Sequence, residues 1–383
     1  MIALLAALQG VALLVLLVRL LPGRRRRPPV APRPNASAAD GDVTVVVAAL
    51  DEAARIQPCL DGLIAQGTVV REILVVDSGS TDGTPDLVRA AAARDPRVTL
   101  LRDPPLPSGW VGKVWALQHG LAQARGEWVL GVDADTVPQP GCVGGALAAA
   151  RELEFEVVSF APRFRITSAA ERWLQPALLV TLVYRFGATG MKVDPDRVMA
   201  NGQCFLARRD VLEAHGGYSA ARASFADDVT LARALARAGR RVGFLDGSRL
   251  YDVRSYTSAR EAWREWGRSL DLKDASTRAR QWSDVIFLLL AQGTPLVVLL
   301  GLVLRWLAGL PLPTGGRWLL ATSSALVAVR VLLQFALARS YATRGVPFWI
   351  SPTADPLAAL RILLSTLRRP TRWRSRVYRA IDA

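Results

Sequence analysis

The first 21 residues are almost wholly apolar, and the run stops against four consecutive arginines, Arg24-Arg25-Arg26-Arg27. An α-helix needs about 20 apolar residues to cross a bilayer, and only Gln9, Gly10 and Arg19 interrupt this run. No basic stretch precedes it and no small-residue cleavage site stands out, so it reads as an uncleaved anchor. The arginines place the downstream chain on the cytoplasmic side. Two further runs, Val285 to about Leu307 and Trp318 to about Leu337, approach spanning length and are joined by a Gly- and Pro-containing piece. Val346 to Leu367 is broken by Pro352, Asp355, Pro356 and Arg361. If it crossed, it would carry the basic tail outside, so it reads as re-entrant or interfacial. The expectation is a multi-pass protein of the inner membrane.

Charge supports the same placement. Lys and Arg number 48 against 33 Asp and Glu, and only Lys113, Lys192 and Lys273 are lysines. The arginines cluster beside the apolar runs, which suits an anionic membrane surface. No aromatic–basic surface motif occurs between those runs, so nucleic acid is not an expected partner. Cys59, Cys142 and Cys204 are widely separated and odd in number, fitting neither a disulfide framework nor a metal cluster. They read as buried packing residues.

Between the apolar ends the pattern is α/β. Short apolar runs at Val43–Ala48, Ile73–Val76, Val98–Leu101 and Trp128–Val132 alternate with helical stretches. Thr84-Pro85 reads as N-cap and first residue of one helix, and residues 113–124 as another. Such alternation implies a largely parallel sheet with ligands at the strands' carboxyl ends. The expected organisation is an anchor (1–21), a basic, Pro-rich linker (22–41), a catalytic domain (42–282), a C-terminal membrane region (283–367) and a basic cytoplasmic tail (368–383). The stretch 173–186, WLQPALLVTLVYRF, is too short to span. It fits either a helix lying on the membrane or an ordinary buried one.

Four acidic sites carry the chemistry. In EILVVDSGSTDGT a buried strand runs into Asp77 and a Gly- and Ser-rich turn, which suits a nucleoside's hydroxyls and base edge. Asp51 and Glu52 leave the preceding strand in the same manner. In GEWVLGVDADT, Asp133 and Asp135 alternate along an extended segment and so face the same side. Hard carboxylate oxygens placed there can hold Mg²⁺ or Mn²⁺, which in turn can bridge a diphosphate. Asp227-Asp228 precede a helix, where the dipole favours carboxylates and where one could serve as general base. Asn201 and Gly202 lie between these sites and bring backbone close to something. Each piece alone also fits a solvated turn or a helix cap. PSGWVGKV lacks the Gly and the Ser or Thr of a phosphate loop. His119 and His215 are isolated, which leaves zinc catalysis without support.

Taken in order, LDEA, VVDSGSTDGT, VDADT, NGQCFLARRDVLEAHGGY and FADDVTLARAL resemble the family 2 glycosyltransferases. The resemblance covers roughly Val43 to Arg268. It implies a GT-A fold (a Rossmann-like α/β domain), here with N- and C-terminal transmembrane helices, and transfer from a nucleotide sugar with inversion and a divalent metal. By that resemblance Asp51 and Asp77 contact the nucleoside of a UDP- or GDP-sugar, with Lys113 near the nucleotide. Asp133 and Asp135 match the D-x-D metal and diphosphate motif. Asp228 matches the catalytic base, the second acid of its pair with Asp227.

One departure narrows the activity. Processive members carry Q-x-x-R-W after the base, whereas this chain reads REAWREWGRSL, so polymer extrusion is not expected. Arg264 could still neutralise diphosphate and Trp266 could hold sugar or lipid. The layout, with GWVGKVWAL, is similar to bacterial transferases of carotenoid glycosylation and hopanoid biosynthesis, which implies a membrane lipid hydroxyl or carboxyl as acceptor, with a hydroxylated isoprenoid preferred. Two other classes compete: a haloacid-dehalogenase-like phosphatase with Asp133 as nucleophile, and a non-catalytic membrane scaffold.

Overall fold

The computed structural model describes residues 1–191, 194–254, 256, 258–270, 272–368, 372–373 and 376–377. The expected basic tail therefore lies largely outside the described residues. Contacts group the chain into two units. One comprises Met1–Arg26, Arg165–Ala188 and Ser255–Arg369; the other comprises Arg27–Phe164, Thr189–Arg254 and Pro370–Ala383.

The strands are β1 (Val43–Ala49), β2 (Val70–Asp77), β3 (Val98–Arg102), β4 (Trp128–Asp133), β5 (Thr136–Pro138), β6 (Val157–Ala161), β7 (Arg163–Arg165), β8 (Phe205–Arg208), β9 (Val242–Asp246) and β10 (Tyr251–Arg254). The longer helices, in chain order, begin with α1 (Ile2–Leu20), α2 (Ile56–Ile64), α3 (Thr84–Arg94), α4 (Gly112–Gln123), α5 (Cys142–Glu152), α6 (Ala169–Phe186), α7 (Arg209–Ala214) and α8 (Asp227–Arg237). They continue with α9 (Ala259–Ser269), α10 (Arg278–Leu288), α11 (Pro295–Leu307), α12 (Gly316–Leu337), α13 (Val346–Trp349) and α14 (Asp355–Leu367).

The main sheet runs β3-β2-β1-β4-β8-β6-β9. Its pairs are parallel except where β8 meets β4 and β6. All seven residues of β1 are buried because both faces are covered. Val43, Val45 and Val47 join a core with α2, α3 and α5, while Val46 and Ala48 join another with α4, α7 and α8. The carboxyl ends of β3, β2, β1 and β4 consequently share one edge, where Asp77 and Asp133 close their strands.

Two details depart from the sequence expectations. Gly83, in the left-handed region at φ 89°, is the N-cap of α3, and Thr84 is its first helical residue. The Thr84 hydroxyl is instead engaged by neighbouring loops. The Pro-rich linker is no free tether either. Val30 N–H donates to Asp246 O at 2.8 Å and Arg33 N–H to Gly141 O at 2.9 Å. A Cβ on Gly144 would fall 2.3 Å from that of Ala36, so the small residues of α5 make the strap's bed.

In the helical unit, three helices among the described residues are long and apolar enough to cross a membrane: Ile2–Arg25, Arg278–Leu307 and Gly316–Ser340. Their outward residues, among them Val297, Leu300, Leu304, Leu332 and Phe335, are exposed, as lipid-facing residues would be. The breaks in the first run have partners. Gln9 is fully buried; its amide reaches Thr294 Oγ1, and the hydroxyls of Thr322 and Ser323 donate to its Oε1. The Arg19 guanidinium lies 4.4 Å from the centre of the Phe287 ring. Residues 173–186 form the buried alternative: α6 carries Pro176 in its interior and buries Leu174, Leu178, Val180 and Tyr184. Residues 346–367 form α13, a 3₁₀ turn at Ser351–Ala354, and α14.

Candidate active site

The loops after β1 and β2 interlock. Asp51 adopts φ 54°, a left-handed conformation that Asp tolerates better than most residues. Its N–H donates to Ser80 Oγ at 2.9 Å, and Thr81 N–H donates to its carboxylate at 3.0 Å. Glu52 N–H reaches Thr84 Oγ1 and Ala53 N–H reaches Asp82 Oδ2, at 2.9 and 2.8 Å. Asp77 is buried and accepts the N–H groups of Gly79 and Ser80 at 3.1 and 3.2 Å. The sequence marks Asp82 only as part of the polar turn and Thr84 only as a helix cap, and their joining of the two loops goes beyond it. The signal was their spacing, since an Asp two residues before a Thr closes an Asx turn.

Beside these loops, β4 ends at Asp133, and Ala134-Asp135 form a turn before β5. The extended alternation expected of Asp133 and Asp135 therefore does not form. Both carboxylates are half-buried. Their hard oxygens suit Mg²⁺ or Mn²⁺, ions commonly held by one or two carboxylates with phosphate oxygens completing the shell. Among the described residues, no group of three or more His, Cys, Asp or Glu could hold a metal. Cys59 sits beneath this edge, its thiol 3.8 Å from Asp133 O, and all three cysteines are free and buried.

Lys113 joins the two acidic pairs. Helix α4 lies so close to β1 that a Cβ on Gly120 would fall 2.3 Å from Val46 Cγ1. That approach sets the first turn of α4 against the end of β4. Lys113 Nζ stands 2.8 Å from Asp133 Oδ1 and 3.6 Å from Asp227 Oδ1. Burial works against its charge, but Asp133, Asp227 and Asp228 outweigh it and hold the ammonium's pKa above its ordinary value.

Asp228 receives the Gly202 N–H at 2.6 Å and its neighbour Val229 N–H at 2.8 Å. Asn201 is fixed through Ser159, whose Oγ accepts its N–H at 2.6 Å and donates to its carbonyl at 2.9 Å. Burial, then the adjacent Asp227, push the Asp228 carboxyl up to about 7 against the opposing pull of Lys113. Burial also raises Asp227. A carboxyl poised near neutrality is what a general base requires. The structure thus gathers Lys113, Asp133, Gly202, Asp227 and Asp228. Arg264 and Trp266 stand on α9 in the helical unit, where Arg264 Nε pairs with Glu265 at 2.9 Å.

Residues 44–216 match the family model described as Glycosyl transferase family 2. The succinoglycan biosynthesis protein ExoO of Rhizobium meliloti is 40% identical over 99 residues, which are 26% of this chain and 27% of that protein. A dolichyl-phosphate beta-glucosyltransferase, ALG5C, of Trichomonas vaginalis is 38% identical over 100 residues, 24% of this chain and 28% of its own. The chain thus spans under a third of the length of these curated relatives. The mannosyltransferase PcManGT from Pyrobaculum calidifontis, solved with GDP-Man and Mn²⁺, aligns with a TM-score of 0.56 at 22% identity. That alignment covers 96% of this chain and 99% of the other, and it speaks to the fold. The phosphatase and scaffold readings lose their ground, for the D-x-D strand lies inside the matched segment and follows three others in the same sheet. Residues 44–216 of this chain are thus similar to the family 2 glycosyltransferases, and the chain has the GT-A fold.

Proposed function

We propose that the protein is a non-processive, inverting glycosyltransferase that moves a sugar from a UDP- or GDP-sugar to a hydroxyl of a membrane lipid. The observation that carries this reading is the junction of Lys113 with both acidic pairs, beside a carboxyl raised to about 7. Asp51 and Asp77 bind the nucleoside, and Lys113 faces the diphosphate. Asp228 takes the proton from the acceptor hydroxyl as its oxygen bonds to the anomeric carbon. The bond from that carbon to the diphosphate oxygen breaks, and the nucleoside diphosphate leaves with the electron pair. Inversion follows because attack comes opposite the leaving group. A divalent cation held by Asp133 and Asp135 supplies charge neutralisation at the diphosphate when bound.

Three helices of spanning length, with exposed apolar residues, support a lipid acceptor and a place in the inner membrane. Arg24–Arg27 support a cytoplasmic catalytic domain. The preferred acceptor is a hydroxylated isoprenoid such as a carotenoid or hopanoid. The test is the detergent-purified chain given UDP- or GDP-sugars, Mn²⁺ or Mg²⁺ and lipid extract, with products read by mass spectrometry. Glycosylated lipid lost in Asp228→Asn supports the reading, and sugar found only on soluble acceptors overturns the lipid assignment.

A further inference from the structure

Lys113 occupies the space between the diphosphate-facing carboxylates and the base. Its side chain is 17% exposed, and its ammonium lies within 4 Å of Asp133 and Asp227. A Cβ on Gly202 would come within 2.8 Å of Nζ, so the glycine leaves room for the ammonium there. The protein's own donor set for a cation is small: among the described residues no third His, Cys, Asp or Glu joins a metal-holding group. One of its two carboxylates, Asp133, already carries an ammonium.

A divalent cation arriving alone at Asp133 meets that ammonium at close range, and like charges disfavour each other most where water is scarce. A diphosphate changes the balance. Its anionic oxygens can receive both the ammonium and the cation, and they supply the ligands the protein lacks. We propose that Lys113 makes divalent-cation binding and nucleoside-diphosphate binding depend on each other. In the free protein it holds Asp133 against a lone cation, and a bound diphosphate draws the ammonium away and releases the carboxylate. The inference rests on the nucleotide-sugar reading given above. By linkage, the nucleotide must strengthen cation binding by the factor by which the cation strengthens nucleotide binding.

The experiment titrates Mn²⁺ into the full detergent-purified chain, reading free Mn²⁺ by electron paramagnetic resonance with and without GDP or UDP. In the unmodified protein, nucleotide should tighten Mn²⁺ binding by ~10-fold or more. In Lys113→Met, Mn²⁺ alone should bind more tightly and the nucleotide's enhancement should shrink to roughly threefold or less. Gly202→Ala keeps every charge but crowds the ammonium from its place, so it should move the same way. It decides the matter if Lys113→Met fails to fold by circular dichroism. Coupling unchanged in the folded variants, or Mn²⁺ bound equally well without nucleotide, overturns the inference alone. Failure of both nucleotides to bind at any Mn²⁺ concentration overturns the nucleotide-sugar reading and the inference with it.

Discussion

The backbone N–H of Gly202 donates to Oδ2 of Asp228 over 2.6 Å, which fixes the carboxylate's rotation without neutralising it. A side-chain cation in direct contact would have pulled the carboxyl down. Here burial and Asp227 prevail and hold it near 7.

Activity should therefore follow deprotonation of Asp228. kcat/KM is expected to fall about tenfold per pH unit on the acid side of the value near 7. Asp228→Asn should lose about 10²- to 10⁴-fold in kcat while retaining nucleotide binding. Near-normal turnover in that variant would remove Asp228 from its role.

The same shift has a consequence for stability, opposite in sign to that of an ordinary salt-bridged carboxylate. The folded state holds this proton up to about 7, against an ordinary value of 3.8. Between those values the folded chain binds more protons than the unfolded one. The group's contribution is thus most favourable below the lower value and is lost as pH rises through the upper. Asp228→Asn should raise Tm at pH 8 by roughly 2 °C or more, and by less at pH 5. Thermal shift in detergent checks it, and a lower Tm at pH 8 would contradict the assignment.

The sequence showed the carboxylates but not what joins them. Asp77 and Asp133 were legible because each ends a strand buried on both faces, a pattern local to a few residues. Lys113 was marked near the nucleotide only by resemblance, and its partnership with Asp133 and Asp227 was not legible, since it depends on α4 docking through Gly120 onto Val46. The surroundings of α6 were hidden as well. Glu171, Gln175, Thr181 and Arg185 interrupt its apolar pattern, yet all four are buried because distant segments cover them. The strap at residues 28–40 looked loose because Pro and Ala suggest a linker, and its anchors are carbonyls at Gly141 and Asp246 that composition does not reveal.

Thr84 tests the interlocked loops. Its hydroxyl accepts Glu52 N–H at 2.9 Å and donates to Asp82 at 2.6 Å. Thr84→Val keeps the shape but leaves a buried N–H without its acceptor, at a cost of ~1–3 kcal/mol. The loop carrying Asp51 should then be less ordered, raising KM for the donor several-fold with little change in kcat. A matching fall in kcat with unchanged KM would show that the loop serves the chemistry instead.

In the helical unit, Arg330 and Asp355 form an ion pair at 2.8 Å with side chains only 3% and 5% exposed. Arg330 also donates to Gln334 Oε1 at 2.6 Å, and Gln292 donates to Asp355 Oδ1 at 3.1 Å, tying α12 and the stretch before α11 to the start of α14. Removing one partner strands a buried charge, so Asp355→Leu or Arg330→Met alone should cost about 3–5 kcal/mol. Replacing both with apolar residues removes charge and counter-charge together, and should recover most of that loss. A double-variant cycle, followed by thermal aggregation in detergent, measures the coupling. Additive losses would mean that the two side chains act separately, and that the pair does not hold α14 to α12.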